Sequence, residues 1–314
     1  MSSARKDKVG FVGLGVMGAS MCGHLLASGF DTTVYSRTTS KCQPLVDLGA
    51  TLGGSPKDVA AASDVVFTMV GFPSEVEAVV MGEDGVLAEG GLAAGGVVVD
   101  MSTTPPALSE AIAAAAERRG CSAIDAPVSG GDVGARAGTL SVMAGGGEEA
   151  FARVLPLLEC MGSTIALMGP AGAGQRTKAV NQTVIASSMV AMAEGLVLAH
   201  RAGLDAAKVV DVIAGGAAAS FSLKELGPRM LRGNLDPGFY VEHFVKDLGI
   251  ALELSRSHGL RLRGLEVAEG LYRGMQDAGE GKLGTQSLAL AVERAAERES
   301  ELGSVVGSAA EGRA

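Results

Sequence analysis

The chain has 314 residues, a formal charge of −9 and a pI near 5.1, with no basic run, which argues against a nucleic-acid surface. Hydrophobic residues make up 47%, and 46 glycines fall between apolar runs without a fixed period, so the composition is that of a globular chain with core enough for two domains. The four cysteines, Cys22, Cys42, Cys121 and Cys160, lie far apart, so neither a disulfide framework nor a metal site is expected.

The N-terminus, MSSARKDKVG, leaves no room for a signal or transit segment before the first apolar run. A cytoplasmic protein is expected, or an organellar one if a leader was removed. Lys8 to Leu14 predicts a buried strand that enters Gly13, Leu14, Gly15, Val16, Met17 and Gly18 and then a helix over 19–28. That order suits a dinucleotide pyrophosphate. Gly13 makes the tight turn, Gly15 lets backbone approach the phosphates, Gly18 lets the helix pack closely, and the helix start supplies unpaired amides. A GxGxxG alone is weak; the flanking strand and helix favour it here over a structural glycine turn.

A second strand over 32–35 ends in Ser36, Arg37 and Thr38. NAD sites usually carry a carboxylate there, whereas arginine and hydroxyls suit a 2′-phosphate. The expectation is NADP(H), with NAD(H) accommodated if Arg37 stacks on adenine. Helices follow after Ser40 and over 56–62 and 106–119, with strands over 64–70, 96–100 and 123–125 between them. The alternation predicts an α/β, doubly wound parallel sheet whose ligand lies beyond the strands' C-terminal ends. The loops at issue are Val70 to Pro73, 101–103 and 126–131. Ser102 and Thr103 either cap the next helix or reach the cofactor, and both readings stay open. In 125–131, DAPVSGG, Ser129, Gly130 and Gly131 offer a hydroxyl and open amides to an anion, with a plain loop as the alternative. Strands over 140–144 and 163–168, flanking a helix over 148–160, finish the sheet.

After Gly169-Pro170 the predicted elements are helical to about Glu301, which places a domain boundary at 169–172. A long helix over 172–203 joins the halves. It is apolar or small nearly all round from Thr183 to Ala199, which predicts burial on most faces. It is long enough to reach across a membrane, but Glu194, the serine pair and the polar first turns argue for a core helix. Lys178 and Asn181, three apart, share a face near its start. Taken alone, Lys178 reads as a solvated first-turn lysine. Beyond the helix, Asp205 caps a helix over 205–213, and a later helix carries Lys246 and Asp247, adjacent charges that in isolation read as an exposed pair. Met189, Met192, Leu196 and Leu198 read as filling a core or a subunit interface rather than a cofactor box, the histidines show no ligand spacing, and the tail from Ser304 reads as disordered.

Taken together, GFVGLGVMG, DMST at 100–103, DAPVSGG at 125–131, GAGQRTKAVNQ at 172–182 and KDL at 246–248 resemble, in order and spacing, the β-hydroxyacid dehydrogenase family, and most closely its plant-type 3-hydroxyisobutyrate dehydrogenase-like branch. The resemblance covers about 8–300. It implies a Rossmann NAD(P)-binding domain over 8–169, an all-helical domain over 170–301 and a tail over 302–314, with homodimers or homotetramers common. It also implies roles for matching residues. Lys178 would be the catalytic lysine, Asn181 a substrate partner, and Ser129, Gly130 and Gly131 a cradle for the substrate carboxylate. Thr103 and Lys246 would contact the cofactor around the nicotinamide, and Arg37 with Thr38 its adenosine end. The SRT triplet is close to the NRT of NADPH-using glyoxylate and succinic semialdehyde reductases, with Ser36 replacing the asparagine.

The implied reaction is reversible hydride transfer between nicotinamide and a small β-hydroxyacid or aldehyde acid, with no nucleic-acid or membrane partner. Charge grows on the carbonyl oxygen as hydride arrives, and an ammonium such as that of Lys178 can protonate it. Glyoxylate, succinic semialdehyde, tartronate semialdehyde and 3-hydroxyisobutyrate all fit. Imine reductases commonly lack the lysine, and a non-catalytic dinucleotide-binding scaffold is the rival from another class.

Overall fold

The computed structural model describes residues 6–297, and the chain separates into two compact units, 1–181 and 182–314. The predicted tail, 302–314, lies outside the described residues.

The first unit opens with β1 (Val9–Val12), α1 (Gly18–Ala27), β2 (Thr32–Tyr35), α2 (Gln43–Val46), β3 (Thr51–Leu52), α3 (Pro56–Ala61) and β4 (Val65–Thr68). It continues with α4 (Pro73–Met81), β5 (Val97–Asp100), α5 (Pro106–Arg118), β6 (Ser122–Asp125) and β7 (Val128–Ser129). α6 (Gly131–Ala137), β8 (Leu140–Gly146), α7 (Glu148–Leu158) and β9 (Gly162–Leu167) complete the sheet unit. The strands lie in the order β3-β2-β1-β4-β5-β6-β8-β7, with β9 on the other edge of β8. From β3 across to β6 every pairing is parallel, and β8 then runs antiparallel to β6 and β7 and parallel to β9. The sheet is therefore mostly parallel. The loop predicted at 126–131 contains the two-residue strand β7, too short to leave an alternating pattern in the sequence.

Alternation along the strands sorts their side chains into two cores. Val9 and Phe11 face a cluster that includes Met21 and Leu25 of α1 and Val154 and Leu158 of α7. Val12 and Val66 face the opposite cluster with Val59 of α3, Val76 of α4 and Ile112 of α5. A strand buried on both faces reads as a continuous apolar run, as VVVD does at β5. Phe11 and Phe67 stack at 6.0 Å on the first face, and full burial of each contributes roughly 2–3 kcal/mol.

The long helix α8 (Ala173–Arg201) begins in the first unit and continues into the second, which holds α9 (Ala206–Ile213), α10 (Gly227–Leu231), α11 (Val241–Ser257) and α12 (Arg263–Met275). Asp205 caps α9 as expected, accepting from the amides of Ala207 and Lys208 at 3.1 and 3.2 Å. Phe244 of α11 meets Tyr272 of α12 edge-on at 4.9 Å, and the Tyr272 hydroxyl donates to the Thr285 carbonyl at 2.8 Å, so the aromatic core of this unit holds no unpaired phenol. By length and composition α8 could cross a membrane, and only a third of its most apolar window is buried. The expectation of burial on most faces is thus corrected. A single stripe, Ala186, Met189, Ala193 and Leu196, is covered, while Val184 and Leu198 stand 62% and 69% exposed. Among the described residues, neighbours cover only one side of the helix.

Candidate active site

The glycine turn between β1 and α1 has the shape its sequence requires. Gly13 sits at φ +99°, where a Cβ would fall 2.2 Å from the Met69 carbonyl, and a Cβ on Gly18 would fall 2.0 Å from the Gly13 carbonyl. Both positions are therefore closed to side chains by the protein's own backbone. Gly15 differs, since nothing lies within 4 Å of its Cβ position, so backbone is bare on that side. Leu14 is buried, Val16 is 42% exposed and Met17 is half-buried. No side chain caps α1, and its first turn holds no acid. An uncapped helix start behind an open glycine fits the pyrophosphate of a dinucleotide.

Ser36, Arg37 and Thr38 follow directly on β2. Arg37 pairs with Glu75, the third residue of α4, which the sequence reading did not single out. The other oxygen of that carboxylate accepts from the amides of Gly71 and Phe72 at 2.9 and 3.2 Å. Phe72, at the N-cap, has no acceptor of its own, so Glu75 makes half a capping box. Pro73 at the first helical position followed by Glu at the third was the available signal.

Val70 donates its amide to Ser102 Oγ at 3.0 Å. Ser102 thus does not cap α5, whose N-cap is Pro105; it ties the loop after β4 to the loop after β5. With Gly71 and Phe72 bound by Glu75, three successive amides of the 70–72 loop are taken by side chains of the protein itself. Thr103 is half-buried beside Ser102.

The end of β6 meets the start of α8 through a buried network. Asp125 is 4% exposed; its Oδ1 accepts from the Gly172 amide at 2.8 Å and its Oδ2 from the Gln175 amide at 2.9 Å. Two amides at the start of α8 thereby gain an acceptor from another element. The two backbones are close enough that a Cβ on Gly174 would lie 2.6 Å from the Asp125 carbonyl. Gln175, 1% exposed, accepts from the Thr104 amide at 3.1 Å and donates to the Ser102 carbonyl at 2.8 Å. Burial pushes the Asp125 carboxyl up to about 6, opposed by its amide bonds and reinforced by neighbouring Asp100, its partner across β5 and β6.

One turn beyond Gln175 stands Lys178. It is 7% exposed, and its Nζ donates to the Val128 carbonyl at 2.7 Å. The solvated reading of this lysine is therefore corrected: it continues the buried stripe of Gln175 and Ala179, a polar start to an otherwise apolar face. The carbonyl it meets immediately precedes Ser129, Gly130 and Gly131. Gly130 and Gly131 adopt φ +125° and +62°, and nothing lies within 4 Å of the Gly131 Cβ position. Asn181 is half-buried one turn on.

In the second unit, Lys246 pairs with Asp247 at 2.7 Å, and Gln182 donates to the other Asp247 oxygen at 2.5 Å. Their side chains are only 14% and 2% exposed, so the exposed-pair reading gives way to a buried, bonded charge pair. Among the described residues no cluster of metal-ligating side chains occurs, and all four cysteines are free.

Comparison with known proteins agrees with this geometry. The family model for the NAD binding domain of 6-phosphogluconate dehydrogenase matches residues 8–169, and that for the NAD-binding domain of NADP-dependent 3-hydroxyisobutyrate dehydrogenase matches 172–292. The chain is 52% identical over 288 residues to a protein of Arabidopsis thaliana named "Probable 3-hydroxyisobutyrate dehydrogenase-like 1, mitochondrial", covering 91% of this chain and 85% of that one. It is 36% identical to 2-hydroxy-3-oxopropionate reductase of Escherichia coli, over 91% and 97% of the two chains. A crystal structure of 3-hydroxyisobutyrate dehydrogenase from Salmonella typhimurium superposes with a TM-score of 0.84 at 29% identity, covering 90% of this chain and 99% of that one. With relatives of this identity and coverage named as dehydrogenases and reductases, the chain is an NAD(P)-dependent hydroxyacid oxidoreductase. Within that class, the chain belongs to the β-hydroxyacid dehydrogenase family.

Proposed function

We propose that the protein interconverts a small β-hydroxyacid and its aldehyde acid, in the manner of a 3-hydroxyisobutyrate dehydrogenase or an aldehyde-acid reductase, with NADP(H) preferred and NAD(H) accepted. The observation that carries this reading is the buried Lys178 amine at 2.7 Å from the Val128 carbonyl, beside the open Ser129–Gly131 turn. The nicotinamide coenzyme, when bound, supplies or takes the hydride. Lys178 holds the proton that the substrate oxygen exchanges, with one of its N–H bonds fixed by Val128 so that the amine is oriented before substrate arrives. In the oxidative direction the same amine takes the proton and must be neutral to do so. Ser129 and the amides of Gly130 and Gly131 hold the substrate carboxylate, and Asn181 meets the substrate from the next turn of α8. Arg37 and Thr38 take the adenosine end of the coenzyme, the glycine turn its pyrophosphate, Val70 and Pro73 contact it from the loop after β4, and Thr103 and Lys246 meet it around the nicotinamide.

On this reading residues 8–169 form the coenzyme-binding domain and 170–301 the substrate and oligomerisation domain, which associates with a second copy in a homodimer or homotetramer. The exposed apolar stripe of α8 supports that association, and the free thiols support a reducing compartment. The test is Lys178→Ala, assayed against small aldehyde acids with both coenzymes. Turnover should fall by about 10²- to 10⁴-fold while coenzyme Kd stays within about twofold. Equal loss of turnover and coenzyme binding would assign the lysine a structural role.

A further inference from the structure

The strand end that reads the coenzyme's ribose carries no acid in sequence, yet the fold brings one to it. Glu75 lies 38 residues beyond Arg37, on a different βα unit, and its Oε1 holds the Arg37 guanidinium. Its position does not depend on the arginine. Oε2 is fixed by the Gly71 and Phe72 amides, and the Glu75 side chain is 22% exposed, whereas that of Arg37 is 75% exposed. The partner that moves is therefore the arginine.

We propose that Glu75 is a specificity-determining residue, a fixed negative charge at the ribose 2′ position that lowers the preference for a 2′-phosphorylated coenzyme and keeps the unphosphorylated one in use. The inference rests on the reading that the coenzyme's adenosine end lies at Arg37. Two effects act in the same direction. A 2′-phosphate engages Arg37 in competition with the carboxylate already bound to it, and the dianion feels the Glu75 charge through solvent-exposed space, where each effect is modest. A 2′-hydroxyl meets neither cost, and a carboxylate within reach accepts its hydrogen bond.

The test is Glu75→Gln, which retains an acceptor at the third helical position and so keeps the cap on Gly71 and Phe72 while removing the charge. NADPH and NADH Kd values are measured by titration on the full-length protein, for the wild type, Glu75→Gln and Arg37→Gln, with thermal unfolding as a folding control. Glu75→Gln should tighten NADPH by roughly three- to fivefold with NADH changed less than about twofold, and the gain should shrink as salt is raised. Arg37→Gln should do the reverse, weakening NADPH selectively. If Arg37→Gln shifts the ratio and Glu75→Gln does not, or shifts it toward NADH, the role assigned to Glu75 is wrong while the adenosine reading stands. If Arg37→Gln also leaves the ratio unchanged, both fall together.

Discussion

Asp125 and Gln175 are joined at 2.9 Å by a carboxylate on the last residue of a central strand and a backbone amide in the first turn of the long helix. The bond fixes where α8 begins, and with it where a side chain one turn further along must lie. Gln175 extends the connection to the loop after β5 through Ser102 and Thr104. Three segments spread over 73 residues of sequence are thus tied together through Gln175, and Lys178 inherits its position from them.

That carboxylate carries a pH signature. Its pKa in the folded chain lies at about 6, raised by burial from 3.8, so the native state holds the proton more tightly than the unfolded chain. The associated stability is fully present below about pH 4 and is lost as pH rises through about 6, a change on the order of 3 kcal/mol at most. Urea unfolding of the wild type between pH 4.5 and 7 should show this decline, and Asp125→Asn should flatten it. Asparagine offers one acceptor to two amides, so its absolute stability at pH 7 shifts by two opposing terms, and the slope is the clean readout. An unchanged slope in the variant would show that another group titrates.

Much of the fold was legible because its causes are local. The apolar run before GLGVMG, the Pro-led helices at 56 and 106 and the Asp205 cap each announce themselves within a few residues. The buried polar network was not, because Asp125, Ser102, Thr104 and Gln175 look like surface residues until residues 50 to 73 positions away are brought against them. Lys178 taken alone and the Lys246–Asp247 pair read as solvated for the same reason, and it is the motifs together that mark Lys178 as the catalytic candidate. Glu75 carries no such mark in the sequence because it sits on the helix after β4, 38 residues from the arginine it holds at the end of β2.

Two glycines of the same turn should respond oppositely to one methyl group. Gly18→Ala places a Cβ against the Gly13 carbonyl, with no flexible side chain to yield, so the melting temperature should drop by several degrees, about 1–3 kcal/mol of overpacking. Gly15→Ala meets nothing within 4 Å and has an ordinary φ, so unfolding should be unchanged within about 0.5 kcal/mol. Coenzyme binding should still weaken by about tenfold or more, because in the proposed binding mode the methyl occupies the open side that faces the pyrophosphate. Retained affinity in Gly15→Ala would mean that the phosphates approach elsewhere.

The Lys246–Asp247 pair separates charge burial from hydrogen bonding. Asp247→Leu strips the carboxylate from both the Lys246 ammonium and the Gln182 amide, which is 1% exposed, and should cost about 3–5 kcal/mol by denaturant midpoint. Asp247→Asn keeps an acceptor for Gln182 and loses only the charge, so a loss of about 1–3 kcal/mol is expected. The reverse order would show that burying the carboxylate costs more than its bonds return.

The exposed stripe of α8 predicts association more directly than composition does. Val184 and Leu198 protrude in the second unit at 62% and 69% exposure, although a side chain of either kind gains roughly 1.5–3 kcal/mol when covered. Replacing both with lysine leaves the chain's own core untouched, because neither contributes to it, so the fold of an isolated chain should lose no more than about 0.5 kcal/mol per site. If a second copy covers the stripe, two lysines per chain would have to enter an apolar contact, and sedimentation should show the double variant at monomer mass where the wild type is a dimer or tetramer. Circular dichroism at low protein concentration separates this from unfolding, since the variant should keep its helical signal. A variant with the wild-type mass would show that association uses a different surface.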